Sequence, residues 1–128
     1  MDSVILLDTH VVVWLYAGLV DQLSTRARRV IDESNVAISP VVELELAYLH
    51  EIGRITESAP SIVGDLAMRI GMQVAQIQFA HVCAEAVDMT WTRDPFDRLQ
   101  AAHAQAARLP LLTKDAQIRE HLELAVWD

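Results

Sequence analysis

Three acids, Asp94, Asp97 and Asp115, fall within the stretch TRDPFDRLQAAHAQAARLPLLTKD (residues 92 to 115), and a fourth, Asp8, closes the apolar run SVILLD near the start of the chain. Taken singly, each has a local explanation. Asp94 precedes Pro95, the arrangement of an N-cap followed by Pro at the first helical position, and Asp97 then falls at N3, where a carboxylate favours the helix dipole. Asp8 and Asp115 can be assigned to helix starts in the same way. Glu45 resists this treatment. Stepping about 100° per residue along PVVELELAYLHEIG puts Val41, Leu44, Tyr48, Leu49 and Ile52 on one face with Glu45 among them, and Glu43 roughly opposite, near His50. Glu43 is therefore read as solvated and Glu45 as an acid in a core-facing stripe, with no Lys or Arg one turn away. A carboxylate in that position must be neutralised, paired or bound to a metal.

If Asp8, Glu45, Asp97 and Asp115 converge, each pair of carboxylates about 4 Å apart costs on the order of 4 kcal/mol at an effective dielectric of 20. Capping terms of about 1 kcal/mol do not offset several such pairs; a divalent cation does. All-oxygen ligands suit Mg²⁺ or Mn²⁺ rather than zinc, and Mg²⁺ takes one or two carboxylates while keeping waters and substrate phosphate oxygens. The chemistry such a cluster points to is metal-assisted phosphoester hydrolysis, in which the ion lowers the pKa of a bound water. Thr113 and Thr9 rank as secondary candidates, able to position that water or a phosphate oxygen by a hydroxyl, though local capping also accounts for a Thr at either place.

The elements that must position these residues alternate. SVILL (3 to 7) is a short continuous apolar run, expected for a strand buried on both faces, with a helix after it from Thr9 to about Ala17. STRARRVIDES (24 to 34) opens on a Ser N-cap candidate, VAIS (36 to 39) has strand composition, and Pro40 starts a helix that Gly53 stops. Helix is expected at 60 to 70, strand at 72 to 77, helix at 79 to 89, helix from Pro95 to about Arg108, strand at 110 to 113, a short helix, and a last strand at 124 to 127. Short apolar strands alternating with helices imply parallel strands joined by crossovers, hence an α/β fold, a three-layer α/β/α sandwich around a central, mainly parallel sheet. In such sheets the site lies outside the carboxyl ends of the strands, which gathers Asp8, Thr113 and Asp115 at one edge.

With 128 residues, 52% of them hydrophobic, and no repeat, linker or low-complexity tract, residues 1 to 128 read as one domain. Ten basic against eighteen acidic residues give a net charge of −8, the wrong sign for holding nucleic acid by broad phosphate neutralisation, so any such contact is local. Cys83 stands alone and is expected as a buried thiol; no zinc spacing occurs among the Cys and His residues. The opening MDSVILLD starts with an acid and carries too short an apolar run for a signal peptide, and no segment approaches a membrane span, so the expected location is cytoplasmic. The five His residues form no ligand spacing; only His10 falls near the acids, where packing or a local hydrogen bond is its expected role, and Trp14 and Trp127 are read as core.

The motifs LLDTHVVVWL, ISPVVELELAYLHEIGRI, RDPFDRLQAAHAQA and LLTKDAQI, at 6 to 15, 38 to 55, 93 to 106 and 111 to 118, together resemble a PIN-domain ribonuclease of the VapC toxin type. They occur in the family's order over nearly the whole chain. The resemblance implies a Mg²⁺- or Mn²⁺-dependent endoribonuclease, the toxin of a toxin–antitoxin module, with an acidic quartet at Asp8, Glu45, Asp97 and Asp115 and an extra acid at Asp94. It further implies an RNA substrate, a VapB-like antitoxin that inserts a C-terminal segment into the acidic groove, and a homodimer formed through helices. Val42 and Leu44 depart from the family's usual Ser and Trp in the second motif. Arg93 and Arg98, beside the acids, are candidates for contact with RNA phosphates, as are Arg26, Arg28 and Arg29, although charged residues beside a helix start are commonly just solvated. The competing reading from another class is a catalytically degenerate PIN-like module that only engages a basic peptide or RNA. A receiver-like phosphoacceptor is a third, and it lacks the early acidic pair and gives Glu45 no role.

Overall fold

The computed structural model describes residues 3–128; Asp2, the acid on which the reading of the N-terminus draws, lies outside them. Strand β1 (Val4–Leu7) leads into helix α1 (Thr9–Ala17), and after a 3-10 turn at Val20–Gln22 come α2 (Thr25–Glu33), β2 (Asn35–Ile38), α3 (Pro40–Glu51) and α4 (Ala59–Ile70). The remaining elements are β3 (Gln73–Val74), α5 (Phe79–Val87), α6 (Pro95–Ala107), β4 (Leu111–Leu112), α7 (Ala116–His121) and β5 (Ala125–Val126). The five strands form one sheet, ordered β3-β2-β1-β4-β5 and parallel at every pairing. Among the described residues no helix is long and apolar enough to cross a membrane.

The unbroken apolar run of β1 is explained by burial on both faces. Ile5 and Leu7 join a core with Val11, Val12, Val42, Leu46, Ile62 and Leu66, contributed by α1, α3 and α4, while Leu6 faces Ala101, Ala104 and Ile118 of α6 and α7. Helix α5 packs on α6 through Val82, Ala86 and Ala102. The result is the three-layer α/β/α sandwich that the alternation of elements implies.

The edge strands are shorter than their compositions suggest. Expected over 72 to 77, β3 pairs only at Gln73 and Val74, opposite Ala37 and Ile38. One more bond, from the Ala75 amide to the Ile38 carbonyl, closes the ladder, because Ser39 turns the chain away to cap α3. Past that point an edge strand has nothing left to bond.

Helix α3 carries the main correction. Leu44, Tyr48 and Ile52, expected to face the core, are 62%, 47% and 48% exposed, whereas Val42, Glu45 and Leu46 are buried. At about 100° per residue the buried line through Val42 and Leu46 lies roughly a third of a turn from the exposed Leu44, Tyr48 and Ile52, and Glu45 sits between the two with the half-buried Leu49. The stripe faces outward because the N-cap at Ser39 sets the phase: its hydroxyl accepts from the Val41 amide and meets Nδ1 of the buried His103 at 2.7 Å, tying the start of α3 to α6. Glu43 is half-buried rather than fully solvated, and Cys83 is half-buried on α5 rather than buried. Trp127 lies in the core as expected; Trp14 packs against it and remains half-buried.

This geometry predicts opposite outcomes for two leucines two residues apart. Leu46→Ala should cost about 2–5 kcal/mol in urea unfolding, and Leu44→Ala should stay within about 0.5 kcal/mol; similar losses in the two would contradict the observed helix phase.

Candidate active site

The chain order sends β2 and β3 to one side of β1 and β4 and β5 to the other. Neighbouring crossovers therefore diverge between β1 and β4, which opens a crevice at the carboxyl ends of those strands. Leu6 pairs with Leu111 and Leu7 with Leu112, so the residues that follow, Asp8 and Thr113, emerge side by side. The Asp8 amide donates to the Leu112 carbonyl at 3.0 Å. The Thr113 hydroxyl donates to Asp8 Oδ2 at 2.6 Å and accepts from the Asp115 amide at 3.1 Å, so one threonine fixes two acids.

Of the local explanations, capping holds for Asp94 and Asp115 and fails for Asp8, while Asp97 occupies the N3 place in the first turn of α6 that its dipole reading gives it. Asp94 Oδ1 accepts from the amides of Phe96 and Asp97 at 2.9 and 3.1 Å, and Asp115 Oδ1 accepts from Ile118 at 2.9 Å, as N-caps of α6 and α7. Asp8 stands at the N-cap position of α1 but makes no capping bond with its side chain, and it is only 3% exposed. Asp97, at N3 of α6, is half-buried with no side-chain hydrogen bond among the described residues.

Glu45 is buried on α3 as expected, although the apolar stripe in which the sequence places it faces outward. Its Oε1 accepts from the Thr9 hydroxyl at 2.6 Å and from Gln100 Nε2 at 3.1 Å, and the same Gln100 nitrogen reaches Thr9 Oγ1 at 3.1 Å. Neither bond reaches Oε2. The partners are neutral donors from α1 and α6, so the carboxylate is anchored without being neutralised. Gln100 is the functional side chain that sequence reasoning missed, buried with its Oε1 unpartnered. The available signal was its place three residues after Asp97, on the same helix face.

The electrostatics follow from this crowding. Burial and then the negative charges of Asp94, Asp8, Asp115 and Glu45 push the Asp97 carboxyl up to about 7. Burial also raises Glu45, with Asp8 and Asp94 adding to the effect against the Thr9 hydrogen bond. Asp8 is raised by burial against the opposing bond from Thr113. The arginines do not relieve the cluster. Arg98 donates to the carbonyls of Ala86, Val87 and Thr92, closing the end of α5, so its guanidinium is engaged in structure rather than held open for a phosphate. Arg26 bonds the Asp128 carbonyl and Arg28 pairs with Asp21 at 3.4 Å, while Arg29 and Arg93 are exposed.

The donor set fits a hard divalent cation, being carboxylate oxygens whose side-chain hydrogen-bond partners among the described residues are neutral, with Asp8, Glu45 and Asp97 raised in proton affinity by burial. It fits as an open site. Among the described residues no three His, Cys, Asp or Glu side chains close into a ready cage, and Mg²⁺ needs only one or two carboxylates when waters and phosphate oxygens complete its shell. Asp8 and Asp97 are the acids not engaged in capping, with Glu45 Oε2 and Asp115 beside them.

The family model of the PIN domain matches residues 5–122 of this chain. A curated relative, Ribonuclease VapC22 of Mycobacterium tuberculosis (strain ATCC 25618 / H37Rv), is 31% identical over 131 residues, covering 98% of this chain and 99% of the relative. Among solved structures, VapBC2 from Rickettsia felis bound to a promoter DNA fragment superposes with a TM-score of 0.68 at 17% identity, covering 98% of this chain and 99% of that one. DNA-bound VapBC from Salmonella typhimurium does so with a TM-score of 0.64 at 21% identity, covering 98% and 96%. At those identities the structural likeness bears on the fold.

The raised carboxyl at Asp97 has a signed consequence for the metal-free protein. Its folded value of about 7 lies above the ordinary 3.8, so the stabilisation from its proton is complete below about 3.8 and is lost as pH rises through about 7. Metal-free protein should therefore lose stability between about pH 4 and 7 in denaturant titrations, and Asp97→Asn should flatten that slope, leaving the share due to Glu45 and Asp8. An unchanged slope in the variant would contradict the crowding.

Proposed function

The chain belongs to the PIN domain family, and from that premise we propose that it is a metal-dependent endoribonuclease, the toxin of a toxin–antitoxin module, working in the cytoplasm with Mg²⁺ or Mn²⁺. The observation that carries this reading is Asp97, unbonded at the head of α6 and driven to about 7 by burial and by four other acids. So much uncompensated negative charge in a crevice is costly unless a cation occupies it. When bound, the ion supplies a water of lowered pKa and stabilises charge on the phosphate under attack.

The chain's own residues account for the rest. Thr113 orients Asp8, and Thr9 with Gln100 orients Glu45, so two carboxylates are held in place before substrate arrives. Neutral donors suit that task, since a Lys or Arg in their place would compete with the ion for the same oxygens. Asp115 joins the site from the start of α7, and Asp94 contributes charge while its oxygen caps α6. Thr9 and Thr113 thus act through the carboxylates they hold.

The same crevice supports the partner assignment. An acidic groove on a chain of net charge −8 steers a basic segment, as an antitoxin tail of VapB type would present. The exposed line of Leu44, Tyr48 and Ile52 offers apolar surface for protein contact, in keeping with a homodimer formed through helices. A degenerate binding module would not need Glu45 and Asp8 held by dedicated hydroxyl and amide donors.

Partner-free protein should cut single-stranded RNA with Mg²⁺ or Mn²⁺ and stop with EDTA. Asp8→Asn or Asp97→Asn should reduce cutting by more than the roughly 10–100-fold that loss of an outer-shell partner costs a metal site; full activity in either variant would refute the quartet. Mn²⁺ at about 100 times its dissociation constant should stabilise the fold by about 2.7 kcal/mol, seen as a higher melting temperature, and Asp97→Asn should diminish the shift.

A further inference from the structure

Beside the acids, Asp8, His10, Trp14, Lys114 and Asp115 line a cavity of about 310 Å³, at the small end of the roughly 300–1,000 Å³ range of ligand pockets. Two of its walls are acids of the proposed cleavage site. The other three residues have no part in holding those acids.

Lys114 is the only lysine of the chain. It stands exposed in the loop between β4 and α7, between Thr113 and Asp115. Although two carboxylates line the same cavity, it forms no ion pair among the described residues. Its Nζ instead lies 5.9 Å from the centre of the Trp14 ring. The exposed imidazole of His10 stands 6.1 Å from that indole, inclined at 43°, and Trp127 supports the indole from the core at 6.3 Å. An unpaired ammonium beside a braced aromatic surface is the combination that single-stranded nucleic acid uses, with bases stacking on rings while a point charge meets the phosphate. It also meets the requirement that nucleic-acid contact by so acidic a chain be local.

We propose that this cavity is a subsite for one nucleotide of single-stranded RNA, with Lys114 at its phosphate and His10 and Trp14 against its base. The proposal rests on the ribonuclease reading and extends it by giving the strand a direction of exit from the acids, across α1 rather than along α6. Because a ring face accepts any base, the subsite contributes affinity and position more than sequence choice.

The test is equilibrium binding of a fluorescein-labelled, mixed-sequence, single-stranded oligoribonucleotide in EDTA, followed by anisotropy from 50 to 200 mM salt at values on the order used for salt-slope analysis. Lys114→Met should weaken binding about tenfold and reduce the slope of log K against log salt by about 0.7, the single-strand value for one phosphate contact. His10→Ala should weaken binding several-fold and leave the slope unchanged. Both side chains are exposed, and an unaltered melting temperature verifies that the variants fold. Wild-type affinity and slope in Lys114→Met overturn the subsite, as does wild-type protein that fails to bind the RNA, or that binds 5′-AMP as tightly as the oligonucleotide. Wild-type protein that binds through Lys114 yet cuts no RNA with Mn²⁺ supports the subsite and rejects the nuclease reading instead.

Discussion

Carboxylates that repel one another are held together at the point where β1 and β4 end side by side. Everything about the site follows from that opposition between topology and charge. The reversal of strand order at β1 and β4 places Asp8 and Asp115 at one crevice, and the packing of α3 and α6 against the same edge adds Glu45 and Asp97. Hydrophobic burial on both sheet faces supplies the free energy that holds the acids in a place they would otherwise leave.

The chain manages this charge with no ion pair to the acids among the described residues. Thr9, Gln100 and Thr113 hold Glu45 and Asp8 by hydrogen bonds that fix position while leaving net charge intact. Charge-assisted bonds of this kind are stronger than neutral ones, and they become stronger still where water is scarce. The consequence is visible at Asp97, which has no such donor and responds to its neighbours by retaining its proton toward neutrality. Positioned acids and an unsettled one in a single crevice are what an open cation site requires.

The orientation of α3 links the site to the surface. Its buried line anchors it on the sheet, and the rotation that brings Glu45 to the crevice turns Leu44, Tyr48 and Ile52 outward. Tyr48 then rests its ring 5.5 Å from that of Phe96, beside Asp97. A helix with two apolar strips can bury either against the sheet, and the capping geometry at Ser39, tied to His103 of α6, selects between them. The strip left outside is the one a protein partner can use.

Much of this was legible in the chain by itself. Alternating apolar runs and capped helices specify a parallel α/β sandwich because each run can be buried only between helices, and the positions of Asp8 and Asp115 after strands follow from that topology. Local rules also explain why Asp94 and Asp115 cap helices, since a cap needs only its own next three residues. The phase of α3, the bonds that Gln100 makes across to Glu45 and Thr9, the engagement of Arg98 by the end of α5, and the place of Lys114 over Trp14 were decided only in three dimensions. Each depends on a contact between residues distant in the chain or on neighbouring elements, and periodicity along one helix carries no information about what the next element places beside it.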